Sequence, residues 1–259
     1  MNAWAAAGIA WGVLALSMAL LWVLQQRTRN AGIVDVAWSF GTAGVGALFA
    51  LIAEGDVARR VAIGSIALAW GARLGAHLAR RVARESEDGR YLELREKWGR
   101  RASAYLFLFF QLQAIWAVLF ALPMFAAAAN ETPSWRVVDI VGVLIAVVAI
   151  GGEALSDHQL ARFRREPGNL DRVCREGLWR YSRHPNYFFE WVHWFAYVAL
   201  AWGGSAFWMA VLGPLVMLFF LFRITGIPPT ERRAIARRGD AYREYQRTTS
   251  VFVPLPPKG

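Results

Sequence analysis

Apolar residues in this chain come in long blocks rather than short alternations. Seven blocks stand out, at about 4–24, 31–53, 57–79, 104–129, 136–157, 186–203 and 206–224. Each approaches the roughly 20 residues that a helix needs to cross the hydrocarbon of a bilayer. The pattern predicts an all-α integral membrane protein with seven transmembrane helices in one domain, residues 1–259. The third block is the least apolar, and the sixth and seventh are parted only by "WGGS" at 202–205.

Composition agrees with this reading. Of the 259 residues, 56% are hydrophobic, above the usual share for a soluble domain. The first block lacks a basic segment ahead of it and is long enough to span, so it reads as a helix rather than a cleaved signal peptide. The charge then orients the bundle. With the N-terminus outside, segments 25–30, 80–101, 158–183 and 225–259 lie inside and hold 24 of the 29 Lys and Arg, while outer segments hold three. That asymmetry follows the positive-inside rule and puts the C-terminus in the cytoplasm, as expected for a multi-pass protein of a bacterial inner membrane. The basic segments are short loops between spans, so the net charge of +10 does not point to nucleic acid. One cysteine, Cys174, excludes an internal disulfide, and four scattered histidines give no zinc pattern.

Polar residues inside the blocks gather toward the inner ends. They are Asp35, Arg73, His77, Gln111, Gln113, Glu153, Asp157, Asn186, Glu190, His193 and Arg223. Several form stripes on one helical face: Arg73, His77, Arg80 and Arg84; Glu153, Asp157, Leu160 and Arg164; Asn186, Glu190, His193 and Tyr197. A charge at the bilayer centre costs about 2.5–3.5 kcal/mol on insertion scales, so such stripes call for partners or water. We expect them to line a cavity open to the cytoplasm, with Pro185 in the first turn of its helix. Arginine-rich inner loops, such as "ARFRREPGNLDR" at 161–172 and "ERRAIARR" at 231–238, suit a phosphate-bearing ligand. No nucleotide fingerprint accompanies them. In "GTAGVG" at 41–46 the glycines are misordered for a dinucleotide loop and are suited instead to close helix packing.

The segment "RYSRHPNYFFEWVHWFAYVAL" resembles the C-terminal domain of the steroid 5α-reductase family, in a bacterial branch catalogued as a domain of unknown function. "GGEALSDHQLARFRREPGNL", "GIVDVAW", "EDGRY" at 87–91 and the tail "GDAYREYQRTTSVFVPLPP" fit the same pattern, which covers nearly the whole chain; the C-terminal motif region is about 104–259. The resemblance implies a seven-helix membrane reductase that uses NADPH to deliver hydride to a conjugated enone, as in the Δ4 bond of 3-oxo-Δ4 steroids. It puts the cofactor contacts on Asn186, Glu190, Glu153, Asp157, Arg164, Arg172 and Arg73, with His77 and Tyr245 beside them. The family's ketone-holding Glu falls on Asp35, a shorter carboxylate. Its partner tyrosine falls on Trp70.

Hydride addition builds negative charge on the carbonyl oxygen, and a donor held there stabilises the enolate. A carboxyl at Asp35 supplies that donor if it is protonated. The lipid-soluble enone would enter from the bilayer, with no obligate protein partner. Two rival readings remain: an S-adenosylmethionine-dependent methyltransferase of the isoprenylcysteine or phospholipid type, which shares the R-H-P-x-Y element, and a small lipid transporter.

Overall fold

The computed structural model describes residues 2–84, 86–133, 135–169 and 171–258. Among them the regular structure is helical: α1 (Ala3–Thr28), α2 (Ile33–Ile52), α3 (Val57–Arg84), α4 (Gly89–Trp98), α5 (Ala102–Ala128), α6 (Val137–Arg165), α7 (Pro185–Leu200), α8 (Phe207–Phe219), α9 (Ile227–Arg238) and α10 (Asp240–Thr248). Six helical runs among the described residues are long and apolar enough to cross a membrane: Ala3–Thr28, Ile33–Ile52, Val57–Arg84, Gly89–Ala128, Val137–Arg165 and Phe207–Arg238. This is the make-up of a multi-pass membrane protein. The helix expected at 186–203 forms as α7, but it has 16 residues and so spans about 24 Å. That is short of the roughly 30 Å of a bilayer core.

The chain divides into two compact units. One comprises Met1–Ile140 and Tyr197–Val211, the other Val141–Ala196 and Leu212–Gly259.

In the first unit α2 packs on α3 and α5, and α1 packs on α5 and α2. Small residues set the α2–α3 approach. A Cβ on Gly71 would sit 2.2 Å from that of Ala43, and one on Gly46 would strike Met124. The "GTAGVG" segment thus packs helices as expected. The local starts are legible: Asn2 caps α1 by accepting from the Ala5 N–H, and the Asp56 carboxylate accepts from the N–H groups of Ala58 and Arg59 at the head of α3. Arg59 is buried against Asp139 at 3.1 Å. Its remaining N–H groups donate to the carbonyls of Asn130, Thr132 and Pro133. Asn130 in turn donates to the carbonyls of Leu200 and Trp202. One guanidinium therefore satisfies the main chain of a whole turn region.

In the second unit α6 and α7 touch where Gly152 lies under the ring of Phe189. The indole of Trp191 donates to the Pro214 carbonyl in α8, and a π-helical turn, Phe220–Ile224, ends that run. The polar helices α9 and α10 follow. Tyr245 of α10 is buried with its hydroxyl on the carbonyls of Trp179 and Ser182, and a parallel bridge pairs Ser182 with Ser250.

Candidate functional site

In the first unit the chemistry gathers at the start of α2. Asp35 sits in its first turn, and the two carboxylate oxygens are both engaged. Oδ2 accepts from Arg90 at 2.9 Å and Oδ1 from the Tyr91 hydroxyl at 2.8 Å. Asp88 caps α4 by accepting from the Arg90 N–H, and it also holds the Arg81 guanidinium at 2.6 Å. Glu87 accepts from Arg95 at 2.8 Å and from the Ala31 N–H at 2.6 Å. These bonds fasten the α3–α4 connection and α4 onto the α1–α2 turn. A cleft beside them is lined by Asn30, Gly32, Asp35, Leu78, Arg81 and Asp88.

Both oxygens of Asp35 thus serve as acceptors here. The proton-bearing groups here are the Arg90 and Arg81 guanidinium groups and the Tyr91 phenol, whose single O–H is given to Asp35 in this arrangement. Arg90 and Tyr91 both lie in "EDGRY", within a stretch read as a cytoplasmic loop; the motif fitted the family pattern, but neither residue was given a role from it. Trp70 is fully buried on α3, with its ring edge-on to Trp38 at 6.0 Å. Arg73 and His77 follow it on α3 and are half-buried. Arg80 turns back onto the Ala76 carbonyl.

In the second unit the stripes on α6 and α7 come together. The Asn186 amide donates to Asp157 at 3.1 Å, while its oxygen accepts from the Tyr187 N–H. Glu153 and Glu190 are buried at 5% and 7% exposure, and Glu190 accepts from the Trp194 indole. Arg164 and Arg172 are exposed, and Arg172 donates to Asn169.

A second cluster in this unit was not anticipated. Glu231 of α9 accepts from Arg183 at 2.7 Å and from Gln246 at 2.9 Å, with His184 Nε2 at 3.3 Å. Arg183 also donates to the carbonyls of Gln246 and Thr249. The His184 ring stacks on Tyr187 at 5.3 Å. Burial pulls the His184 pKa below the ordinary value of 6.5, against the opposing pull of Glu231. The Arg-His pair ahead of Pro185 thus ties the start of α7 to α9 and α10. Sequence could not reveal this, since Glu231 lies 48 residues from Arg183.

Compared with known proteins, residues 21–249 match a family described as a protein of unknown function, DUF1295. No curated protein and no solved structure matches the chain.

Proposed function

The chain belongs to the DUF1295 family, and we propose that it is a membrane-embedded, NADPH-dependent reductase acting on the C=C bond of a conjugated, lipid-soluble enone such as a 3-oxo-Δ4 steroid. The observation that carries this reading is the cluster of Asp35, Arg90 and Tyr91 at the head of an apolar helix. It combines a fixed acceptor with two proton-bearing groups beside a hydrocarbon-facing bundle. That is the equipment for polarising the carbonyl of an apolar ligand. The resemblance to the steroid 5α-reductase family supports the same chemistry.

In this mechanism Asp35 is a positioning residue that orients Arg90 and Tyr91. On substrate binding the single Tyr91 O–H would turn from Asp35 to the enone oxygen, where an Arg90 N–H would join it in stabilising the developing enolate. Trp70 and Trp38 form an apolar wall. The residue set also fits a dinucleotide phosphate. Exposed guanidinium groups at Arg164 and Arg172 suit phosphate oxygens, and Asn186, Asp157, Glu153 and Glu190 suit hydroxyl and amide groups. Tyr245 supports this region through the carbonyls it binds, and Arg73 and His77, on α3 of the first unit, are cofactor contacts only by the resemblance. When bound, NADPH supplies the hydride. The topology we propose has seven crossings, the N-terminus outside, and the cofactor reached from the cytoplasm.

The test is nucleotide binding and turnover in purified protein. NADPH binds and S-adenosylmethionine does not, and Asn186→Ala or Glu190→Ala abolishes NADPH-dependent enone reduction while the protein stays folded. Wild-type turnover and affinity in both variants would remove the cofactor assignment. Binding of S-adenosylmethionine in place of NADPH would favour a methyltransferase.

A further inference from the structure

Helix α1 ends on an arginine in the left-handed backbone region. Arg29 has φ 55°, and its N–H closes on the Gln25 carbonyl. Residues with a side chain rarely accept that conformation, and glycine is the usual choice there. The chain follows this preference elsewhere: α4 and α9 end on Gly99 and Gly239, at φ 50° and 53°. Among the described residues only Arg29 and Trp135 take a positive φ without being glycine. A glycine would make the same turn without the steric penalty, so the turn alone gives no reason for an arginine.

Its surroundings supply one. Arg29 lines an open cleft of about 450 Å³ between the end of α1, the start of α2 and the end of α3. That volume falls within the range of about 300–1,000 Å³ usual for small-molecule sites. Leu24 and Thr28 of α1, Ile33 of α2, Val82 of α3 and Ser86 line it too. Apolar walls and two hydroxyl-bearing residues thus meet one cation. The other polar groups of the cleft are already engaged. Glu87 accepts from Arg95 at 2.8 Å and from the Ala31 N–H at 2.6 Å. Asn30 donates to the Val82 carbonyl and accepts from the Gly32 N–H. The Arg29 guanidinium has no ion pair among the described residues. A guanidinium beside hydroxyl groups matches a phosphate. An apolar track leads away from it. Thr28, Leu24, Leu20 and Val13 fall within about 80° of one another around α1. The last three are 44–63% exposed. The track is about 22 Å long, more than half of a roughly 30 Å bilayer core.

We propose that this cleft binds the phosphate of a membrane phospholipid, with an acyl chain laid along Leu24, Leu20 and Val13. The Arg29 guanidinium pairs with the phosphate oxygens, and the Thr28 and Ser86 hydroxyls donate to them. The chemistry recognised is a phosphate ester, and the apolar track selects a lipid over a soluble one. The inference needs only that α1 lies in a bilayer and does not depend on the reductase reading. Arg27 is a natural control: it is exposed on the last turn of α1 but does not line the cleft.

The experiment uses full-length protein in a nonionic detergent and two radiolabelled probes with the same acyl chains: dioleoyl phosphatidylglycerol, and dioleoylglycerol, which lacks the phosphate. Equilibrium binding in wild type favours the phospholipid by about ten- to a hundredfold, the scale of hydrogen bonds to a charged group. Arg29→Gly suits the left-handed turn and removes the guanidinium. It loses most of that preference and leaves dioleoylglycerol affinity within about twofold of wild type. Arg27→Ala keeps the preference within about twofold. Equal affinity for the two probes in wild type, or failure to bind either, overturns the site. So does an equal loss for both probes in Arg29→Gly. An equal loss of preference in Arg27→Ala and Arg29→Gly marks diffuse surface charge and overturns it as well. Inorganic phosphate at about a hundredfold excess leaves the lipid bound, because it lacks the apolar contribution of the chain. Displacement at that excess overturns the lipid in favour of a soluble phosphate ester. If Arg29→Gly does not fold, Arg29→Asn, which also accepts this backbone, carries the test.

Discussion

At the scale of single residues the proposed mechanism gives the carbonyl-holding role to Tyr91 and Arg90 and makes Asp35 their support. As a lone carboxylate near the start of an apolar block it was easy to find, and the resemblance gave it the ketone to hold, with or without donation of a proton. Its two oxygens instead accept from Arg90 and Tyr91. Tyr91→Phe therefore lowers the reductase kcat by about 10²–10³-fold, the scale of removing one oxyanion donor. Asp35→Asn retains part of the activity, because an amide oxygen can still accept from Tyr91. Asp35→Ala falls with Tyr91→Phe. NADPH affinity, measured by titration, is unchanged in all three. Full activity in Tyr91→Phe would return the acid role to another group. Asp35 was legible in sequence because burial makes a lone charge conspicuous. Tyr91 was not, because its partner lies 56 residues away and only the fold brings them together. Asn186 and Asp157 were legible through helical spacing, which the structure joins by one hydrogen bond.

At the scale of elements, hydropathy located the long helices and missed the short polar ones. Segment 80–101 read as loop, yet it holds the end of α3 and all of α4. Helix α4 stands on specific side-chain anchors, Asp88 at its cap and Glu87 with Arg95 along it, and such pairs leave no periodic signature in hydropathy. The same holds for α9 and α10, joined to the start of α7 by Glu231. That junction titrates. Burial depresses the His184 pKa, so on acidification the unfolded chain takes up a proton at this position before the folded one does. Stability from this source is complete above about pH 6.5 and is lost as pH falls through the lower folded value. Thermal unfolding in detergent should show a melting temperature that drops between pH 7 and pH 5. His184→Gln, which does not titrate, flattens part of that drop. An unchanged pH profile in His184→Gln would free this junction of any acid sensitivity.

At the scale of the whole molecule, the question is whether α7 crosses the membrane. Charge asymmetry argues for seven crossings, whereas the length of α7 is short for one. The two counts place the C-terminus on opposite sides relative to the α2–α3 turn. Cys174 is buried and can be replaced by serine, which leaves a chain with no thiol. In that background Glu54→Cys and Lys258→Cys introduce single exposed thiols. With seven crossings, a membrane-impermeant maleimide applied to intact cells labels Glu54→Cys, and labels Lys258→Cys only after permeabilisation. Labelling of both from one side would mean that α7 lies within the bundle without traversing it.

The anchoring of Arg59 has a consequence for the order of events during synthesis. Its guanidinium heads α3, but the groups that satisfy it reside at positions 130–139. For the time the ribosome takes to add those seventy or so residues, α3 must hold a cationic end with none of these partners. The hairpin of α2 and α3 is thus born provisional, and its final register is fixed only when the start of α6 emerges and closes over it.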